Sequence, residues 1–409
     1  MGQKEQMTES GEELRREQTR RETDRKCPDC GATMDFDPDT GGLACPYCGH
    51  REQIGEGEQS GEEAASGAAE AAGPAGGRRD SAPELDFDSA PDDAACEWGA
   101  HKKVVVCKAC GAESVYDELE LANECPYCGS NQVMEEKGER TLAPGGVVPF
   151  RLTEREAAGK FSSWLRRRLL CPRTAKQSAR PGAFKGVYLP YWTFDTQAAG
   201  EYEAEYGIDR QVDTREGRRT ETEWHHTKGS CSRRIDDQLV LASSRYAPGL
   251  MCKVEPFQTS LNKTYRPEYV AGFIAERYSV PLKEGWERAR EQIGRQMEGQ
   301  AETEVRRRYS ADHVRIRKLH LDCRDVTYKY LLLPVWLSSY RYRDKVYHFM
   351  VNGQSGKAGG EAPVSSMRVA ILIVLAAAAF LLCSDYWQWT WIPVLLAAVL
   401  ALVCRLKNL

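Results

Sequence analysis

The chain has 409 residues, which exceeds the length of one typical domain, and its net charge of −4 at pH 7 is unevenly distributed. Residues 27–50, 51–100 and 101–130 carry −4, −10 and −2, residues 1–26 are balanced, and the remainder therefore carries +12. Nucleic-acid binders place Lys and Arg on the contacting module to neutralise phosphates. DNA and RNA are thus disfavoured as ligands of the N-terminal cysteine-containing segments.

Residues 1–26 are predicted to form a charged N-terminal arm. They contain seven basic and seven acidic side chains and no apolar stripe. This composition is typical of a solvated, helical arm and not of a targeting peptide.

Two segments, 27–50 and 98–131, each contain a C-x2-C…C-x2-C pattern with a 14-residue interior, and the second pattern lies 80 residues after the first. Four thiolates at this spacing are typical of a structural Zn2+ site in a zinc ribbon built from two β-hairpins. A glycine follows each second cysteine and tolerates the positive φ of a zinc knuckle. We expect two structural Zn2+ ions, bound by Cys27, Cys30, Cys45, Cys48, Cys107, Cys110, Cys125 and Cys128.

A thioredoxin-like redox pair, a disulfide framework and an iron site are the competing interpretations. A redox C-x-x-C motif occurs singly at a helix start, and disulfides are disfavoured in a chain without a secretory signal. A closed four-thiolate site stabilises a fold and leaves no open coordination position for hydrolysis. His50 follows the first pattern and is interpreted as a solvated residue, because four ligands already complete the site.

Residues 51–97 are predicted to be a disordered acidic linker, because they are rich in Glu, Gly, Ala, Ser and Asp and poor in large apolar residues. Such a linker lets the first ribbon move independently of the second. A sharper hypothesis makes it an acidic decoy for the basic half of the chain.

Residues 140–360 are predicted to form a duplicated α+β cytoplasmic domain. Val148-Pro149-Phe150 precedes one helical stretch, 153–170, and Val280-Pro281-Leu282 precedes another, 283–309. The strand-like YLPYW (188–192) is matched downstream by LLPVW (332–336), and strand-like alternation follows both. Each copy thus has the order helix, then paired strands, and the two Pro-x-Trp strands are candidates for pairing with each other.

Residues 367–405 are predicted to form a transmembrane helical hairpin. Val369–Cys383 and Thr390–Cys404 are uncharged runs separated by a polar, aromatic segment. Each run spans about 22 Å of helix, so flanking residues must help to cross a hydrocarbon core of roughly 30 Å. Arg and Lys at the outer ends place both termini in the cytoplasm of a two-pass cell-membrane protein. A shallow re-entrant hairpin and a buried soluble hairpin are the alternatives.

Motifs for catalysis are missing, and we expect no enzyme. The segment 353–358 has the wrong glycine spacing for a phosphate-binding loop and is interpreted as a turn. His225-His226 and Asp236-Asp237 are adjacent pairs, and neighbours on a strand point to opposite faces. They are interpreted as exposed polar pairs, and we predict no catalytic residue and no small-molecule substrate.

Several segments resemble a family of bacterial zinc-ribbon membrane proteins: GGVVPF (145–150), YLPYW (188–192), SRRIDD (232–237), PEYVAGFIAERY (267–278), LLLPVW (331–336) and VNGQSGK (351–357). Members are often labelled TFIIB-type zinc ribbon or primosomal-helicase-like, although this chain lacks every helicase motif. Relatives are found alongside a phage-shock protein A homologue and an SPFH-domain protein. The resemblance implies a membrane-associated scaffold in envelope maintenance or stress response, and it does not cover the ribbon at 27–50.

These observations favour a membrane-anchored zinc-ribbon adaptor that binds protein partners and membrane lipid at the cytoplasmic face. The partners implied by the resemblance are phage-shock protein A-like and SPFH-domain proteins. A nucleic-acid-binding zinc-ribbon protein tethered to the membrane is the alternative, and the acidic ribbons argue against it.

Overall fold

The structure is a computed structural model of the whole chain. The residues it describes are 15–18, 26–54, 81–90, 102–106, 113–117, 120–124, 131–133, 142–178, 184–214, 217–246, 248–342 and 345–384.

Strands and helices alternate irregularly along these residues. The strands of the N-terminal part are β1 (Arg15–Gln18), β2 (Asp35–Asp37), β3 (Gly42–Ala44), β4 (Arg51–Glu52), β5 (Leu85–Asp86), β6 (Lys102–Val106), β7 (Glu113–Asp117), β8 (Glu120–Glu124), β9 (Asn131–Val133) and β10 (Gly146–Val147). The strands that follow are β11 (Lys185–Thr214), β12 (Gly217–Leu241), β13 (Lys263–Thr264), β14 (Ile274–Glu276), β15 (His313–Tyr342), β16 (Lys345–Asn352) and β17 (Ala358–Gly360). The helices are α1 (Glu154–Arg167), α2 (Arg173–Ser178), α3 (Pro248–Met251), α4 (Leu282–Tyr309) and α5 (Ser366–Ser384).

The predicted α+β class is confirmed, together with a cluster of four cysteines near the N-terminus. The predicted transmembrane hairpin has no such support. Within the part of the chain that the structure describes, no helix is both long enough and apolar enough to cross a membrane. The second apolar run of that hairpin, Thr390–Cys404, lies outside the described residues.

The chain divides into two compact units. The first unit contains residues 1–149, 188–246 and 258–334, and the second contains residues 150–187, 247–257 and 335–409. The division does not follow the two predicted copies in sequence order. Each unit instead combines the strands of one copy with the helix of the other.

The first unit is built on a sheet in which β11 and β15 are neighbours, so the two Pro-x-Trp strands lie side by side. The sheet order is β13-β10-β15-β11-β14-β8-β9, with β12 paired to β11 and β5 paired to β15. Strands β11 and β12 form a long antiparallel hairpin whose register shifts between Phe194 and Thr196. This irregularity turns Asp195 and its neighbours out of the regular ladder.

Helix α4 covers the β11–β12 hairpin in the same unit. It buries a residue every three or four positions, as an amphipathic helix does, and Ile293, Met297, Ala301 and Val305 contact Ala198, Tyr202, Cys231 and Ile235. Helix α4 therefore packs on the hairpin through one apolar face. Gly285 is required near the helix start, because a Cβ atom there would lie 2.6 Å from Cδ1 of Trp192.

The second unit places α1 against β16 and β17. Helix α1 begins with a capping box in which the Thr153 hydroxyl accepts the backbone N–H of Glu156 and the Glu156 carboxylate accepts the N–H of Thr153. Its buried residues are Ala157, Phe161 and Leu165. The Phe161 ring stacks on Phe349 of β16 with a centroid distance of 3.6 Å.

The tryptophans of the two Pro-x-Trp segments make corresponding hydrogen bonds. In the first unit, Nε1 of Trp192 donates to the carbonyl of Val280, just before α4, at 2.9 Å. In the second unit, Nε1 of Trp336 donates to the carbonyl of Leu152, just before α1, also at 2.9 Å. Each tryptophan thus fixes the start of the helix that belongs to the other copy.

Part of the segment predicted to be a disordered linker is ordered. Strand β5 pairs with β15 through Leu85 and Asp86, and the ring of Phe87 packs 5.7 Å from that of Trp286 and 6.3 Å from that of Phe194. The prediction for 51–97 is therefore wrong at Arg51–Glu52, which form β4, and at residues 81–90. Pairing with β15, packing of the Phe87 ring and the ion pair of Glu84 with Lys329 hold the second stretch, although the average composition of the segment is acidic and poor in apolar residues.

Candidate metal centre

The first ribbon is a three-stranded antiparallel sheet, β2-β3-β4, flanked by two cysteine turns. Gly31 and Gly49 follow the cysteine pairs and adopt φ values of +74° and +76°, which L-residues with a side chain rarely adopt. Their N–H groups donate back to the carbonyls of Cys27 and Cys45 at 2.8 and 3.1 Å. The glycine after each pair therefore closes a turn that aims both sulfurs inward.

The four sulfurs of Cys27, Cys30, Cys45 and Cys48 lie within 4.8 Å of one another. The Sγ atoms of Cys27 and Cys48 are 3.4 Å apart, and those of Cys30 and Cys45 are 3.5 Å apart. These distances are far longer than a disulfide bond of about 2.05 Å. They approach the separation of roughly 3.8 Å that four thiolates adopt around a tetrahedral Zn2+ with Zn–S bonds of about 2.3 Å. The donor set therefore fits a metal ion.

Backbone N–H groups shift the pKa values of the cysteine thiols in the cluster. N–H groups of Cys48 and Tyr47 donate to the sulfur of Cys45 and lower its pKa to about 6, against the opposing effect of burial. The amide of His50 has the largest effect on Cys48 and favours its thiolate, but the thiol of Cys27, burial and the thiols of Cys30 and Cys45 together outweigh it and raise the pKa of Cys48 to about 12. Metal binding must therefore displace the proton of Cys48.

His50 lies beside the cluster and is bound to an acidic residue. Its Nδ1 atom is 2.8 Å from Oδ2 of Asp29, and its side chain is 29% exposed. Together with Cys27, these two residues form a second group of possible ligand atoms within 4.8 Å. The predicted solvated histidine is therefore a partly buried partner of Asp29 at the edge of the four-sulfur site.

The first ribbon is attached to the sheet of its own unit by Phe36. This ring is 4% exposed and lies 5.8 Å from the ring of Tyr269, and its backbone N–H donates to the carbonyl of Ala271 at 3.2 Å. Gly272 has φ +79°, and a Cβ atom there would lie 2.9 Å from Cγ of Asp35. The first ribbon is therefore docked on residues 269–273, and its freedom relative to the second ribbon stays a prediction.

The second set of predicted ligands, Cys107, Cys110, Cys125 and Cys128, lies outside the described residues. The strands that precede and follow these cysteines in sequence are described. Strand β6 pairs with β7, and β8 pairs with β9, both antiparallel. The predicted second Zn2+ site itself stays a prediction.

The polar pairs singled out in the sequence differ in their surroundings. Nε2 of His225 lies 3.5 Å from Glu223, and Nδ1 of His226 lies 3.5 Å from Glu205, so the two rings engage different carboxylates. Asp236 is exposed. Asp237 departs from the predicted exposed pair, because it adopts φ +50° and its side chain is only 17% exposed.

Asp237 belongs to an ionic cluster that sequence reasoning missed. Nζ of Lys329 lies 3.1 Å from Oδ1 of Asp237, 3.7 Å from Oδ2 of Asp195 and 3.2 Å from Oε1 of Glu84. The hydroxyl of Thr259 donates to Oδ2 of Asp237 at 2.6 Å, and the N–H of Asp237 donates to Asp195. The available signal was a charged residue inside an otherwise apolar strand: Asp195 in YLPYWTFDT and Lys329 in TYKYLLLPVW.

In this ionic cluster, burial disfavours the charged forms of Asp195 and Lys329, whereas the attraction between the two charges favours them. Burial of the carboxyl group raises the pKa of Asp195 to about 6, even though the Asp237 N–H and the Lys329 charge act in the other direction. Burial disfavours the charged form of Lys329, but Asp237 and Asp195 outweigh it and raise the pKa of this residue. The lysine therefore stays protonated and links β11, β12 and β15.

No protein-family model matches the chain, and no solved structure matches it. The chain is similar to the uncharacterized protein YdjG of Bacillus subtilis (strain 168), with 30% identity over 348 residues, which cover 84% of this chain and 91% of YdjG. At this identity and coverage, the chain belongs to the same family as YdjG.

Proposed function

We propose that the chain is a non-enzymatic adaptor of the cell membrane whose two zinc ribbons bind protein partners. The four-sulfur cluster of the first ribbon carries the proposal. Four thiolates saturate a tetrahedral Zn2+, so the ion holds a surface in shape and has no open position for catalysis. The second ribbon, with the same spacing at Cys107, Cys110, Cys125 and Cys128, is proposed to bind a second structural Zn2+.

The surface that the first ribbon offers to a partner is its second cysteine turn. Tyr47, between Cys45 and Cys48, is 82% exposed, and exposed aromatic side chains are frequent anchors of protein interfaces. Four aspartates, at positions 29, 35, 37 and 39, precede it in the ribbon, and no Lys or Arg occurs in 27–50. A partner with a basic rim and an apolar pocket complements this surface.

Attachment to the membrane is proposed for the C-terminal segment 367–405, with both termini in the cytoplasm. The apolar side chains of α5 support it: Met367, Val374 and Leu375 are 72%, 65% and 63% exposed. Exposed apolar residues in such density mark a surface that is covered by lipid or protein. The resemblance to membrane-associated zinc-ribbon proteins makes phage-shock protein A-like and SPFH-domain proteins the proposed partners in envelope maintenance.

Affinity purification of the full-length chain from solubilised membranes tests the adaptor function. We expect a co-purifying protein that is lost from Cys27→Ser/Cys30→Ser, from Cys107→Ser/Cys110→Ser or from both. Tyr47→Ala is expected to retain zinc while the partner of the first ribbon is lost. Cys252→Ser is the matched control, since this exposed cysteine lies outside the cluster. An unchanged set of co-purifying proteins in every ribbon variant contradicts the proposal.

A further inference from the structure

The second unit contains a cavity of about 850 Å3 with a strongly basic lining. Its walls come from the C-terminal half of α1, the residues that follow it up to Cys171, strand β17 with the segment to Val364, and Lys253. The cationic lining residues are Lys160, Arg167, Arg168, Lys253 and Lys357, against the single carboxylate of Glu361 among the described lining residues.

The five cations are not neutralised by carboxylates at contact distance. Among the described residues, none of the five forms an ion pair. Nζ of Lys357 donates to the backbone carbonyl of Glu255. The pKa of Glu156 is lowered mainly by the hydrogen bond from the Thr153 N–H, and the charge of Lys160 lowers it further. The cavity therefore holds an excess of positive charge, which favours an anion.

Two of the cations are held in place by packing. The guanidinium of Arg168 lies 4.4 Å from the ring centroid of Trp164, and burial lowers its pKa. Gly356 adopts φ +74° under Lys160, where a Cβ atom would lie 2.9 Å from the lysine Cε. A bound anion would offset the loss of solvation at Arg168, so this side of the cavity is arranged for a negatively charged group.

Apolar side chains continue the cavity toward α5. Trp164, Leu169 and Val364 line it, and Leu169 and Val364 are 71% and 41% exposed. The guanidinium of Arg368, in the first turn of α5, donates to the carbonyls of Leu169 and Cys171 at 2.7 and 2.8 Å. The exposed apolar side chains of α5 thus begin next to the basic cavity, within one unit.

We propose that this cavity binds the phosphate of an anionic lipid headgroup. Charge complementarity selects a phosphate-bearing anion, and the exposed apolar rim selects a lipid as its source over free phosphate. The inference rests on the proposed attachment to the membrane and adds a headgroup site to it. Lys160 and Arg167 reach the phosphate from α1, and Lys253 and Lys357 reach it from the opposite segments.

Isothermal titration calorimetry on the full-length chain in an uncharged maltoside detergent tests the site. The ligands are dihexanoyl phosphatidylglycerol, dihexanoyl phosphatidylcholine and inorganic phosphate. We expect the phosphatidylglycerol to bind at least about tenfold more tightly than the other two, since it alone combines net negative charge with acyl chains. Equal binding of inorganic phosphate contradicts a lipid source, and equal binding of phosphatidylcholine contradicts recognition of charge.

Variants locate the binding. Lys160→Gln/Arg167→Gln is expected to weaken phosphatidylglycerol binding about 30-fold, because each cation near an anionic headgroup changes affinity about fivefold. Arg155→Gln/Arg166→Gln, with the same loss of charge on α1 outside the cavity, is expected to bind as the wild type does. Lys253→Gln repeats the test from another segment if the double variant does not fold. An equal loss of phosphatidylglycerol affinity in the cavity variant and in the control variant contradicts the proposal.

Two further measurements separate this inference from the proposed function. Carbonate extraction of membranes reports attachment, and the cavity variants are expected to remain attached. Wild-type protein that is extracted by carbonate but still binds phosphatidylglycerol contradicts the membrane anchor and leaves the headgroup site standing. A phosphoserine peptide that binds more tightly than the lipid contradicts the headgroup site and leaves the anchor standing.

Discussion

At the residue scale, the most consequential buried group outside the cysteine cluster is Lys329. Its side chain is 9% exposed and lies between Asp195 and Asp237, which are 14% and 17% exposed. Charges this far from solvent are tolerated only when they are paired, because the desolvation of a lone ion costs several kcal/mol. The cluster therefore fixes where three long strands meet.

Replacing Lys329 by Met is expected to lower the free energy of unfolding by about 3–5 kcal/mol, since two carboxylates then share a buried site without a cation. Urea unfolding of the full-length chain measures this. The combined variant Lys329→Met/Asp195→Asn is the control and is expected to recover part of the loss. If the free energy of unfolding lost in the double variant equals the sum of the losses in Lys329→Met and Asp195→Asn, the two residues are not coupled, and this contradicts the ion pair.

The raised pKa of Asp195 predicts a pH dependence of stability. Its folded-state pKa of about 6 exceeds the ordinary value of 3.8, so the folded chain binds more protons between these values. The contribution of this group to stability is thus present in full below pH 3.8 and is lost as the pH rises through 6. Asp195→Asn is expected to flatten the fall in stability between pH 4.5 and 7. Parallel pH profiles for the variant and the wild type contradict this assignment.

At the element scale, helix α4 provides a test with its own control. Gly285→Ala places a methyl group 2.6 Å from Trp192 and is expected to destabilise the chain by about 1–3 kcal/mol through overpacking. Gly299→Ala lies in the same helix with no atom within 4 Å of the added Cβ. It is expected to stabilise the chain by about 0.5–1 kcal/mol, because alanine is the better helix former. Thermal unfolding measures the difference in stability between the two variants. Equal changes in stability contradict the close approach of residue 285 to Trp192.

Local features were the ones that the sequence predicted well. The two helices were placed at 153–170 and 283–309 and are observed at Glu154–Arg167 and Leu282–Tyr309, because capping residues and helical periodicity are encoded by neighbours in the chain. The cluster around Cys27 and Cys45 followed from ligand spacing for the same reason. The turn predicted within 353–358 is observed at residues 353–355.

Long-range features were not predictable from these patterns. The contact of Phe36 with Tyr269, the pairing of Leu85 with Tyr328 and the ion pair of Lys329 with Asp237 each join residues that are far apart in sequence. A periodicity shows that a residue is buried, but not which segment covers it. Composition alone therefore predicts disorder at residues 81–90, where pairing with β15 and contacts of the Phe87 ring order the chain.

At the scale of the whole molecule, each unit contains one copy's strands and the other copy's helix. In each unit, the tryptophan of a Pro-x-Trp segment bonds to the residue just before a helix, Trp192 to Val280 and Trp336 to Leu152. The first unit carries the ribbon surface proposed to bind protein, and the second carries the basic cavity proposed to bind a lipid phosphate. The proposed adaptor thus has separate sites for the two kinds of partner.

Native mass spectrometry of the full-length chain tests most directly the claim that two structural metal sites underlie this protein. We expect two Zn2+ ions per chain and the loss of one ion each from Cys27→Ser/Cys30→Ser and Cys107→Ser/Cys110→Ser, while Cys252→Ser retains both. Chelation is expected to unfold the ribbons, because binding energy in such sites is folding energy. A chain that folds without any metal, or that loses both ions when a single ribbon is altered, would contradict two independent zinc ribbons.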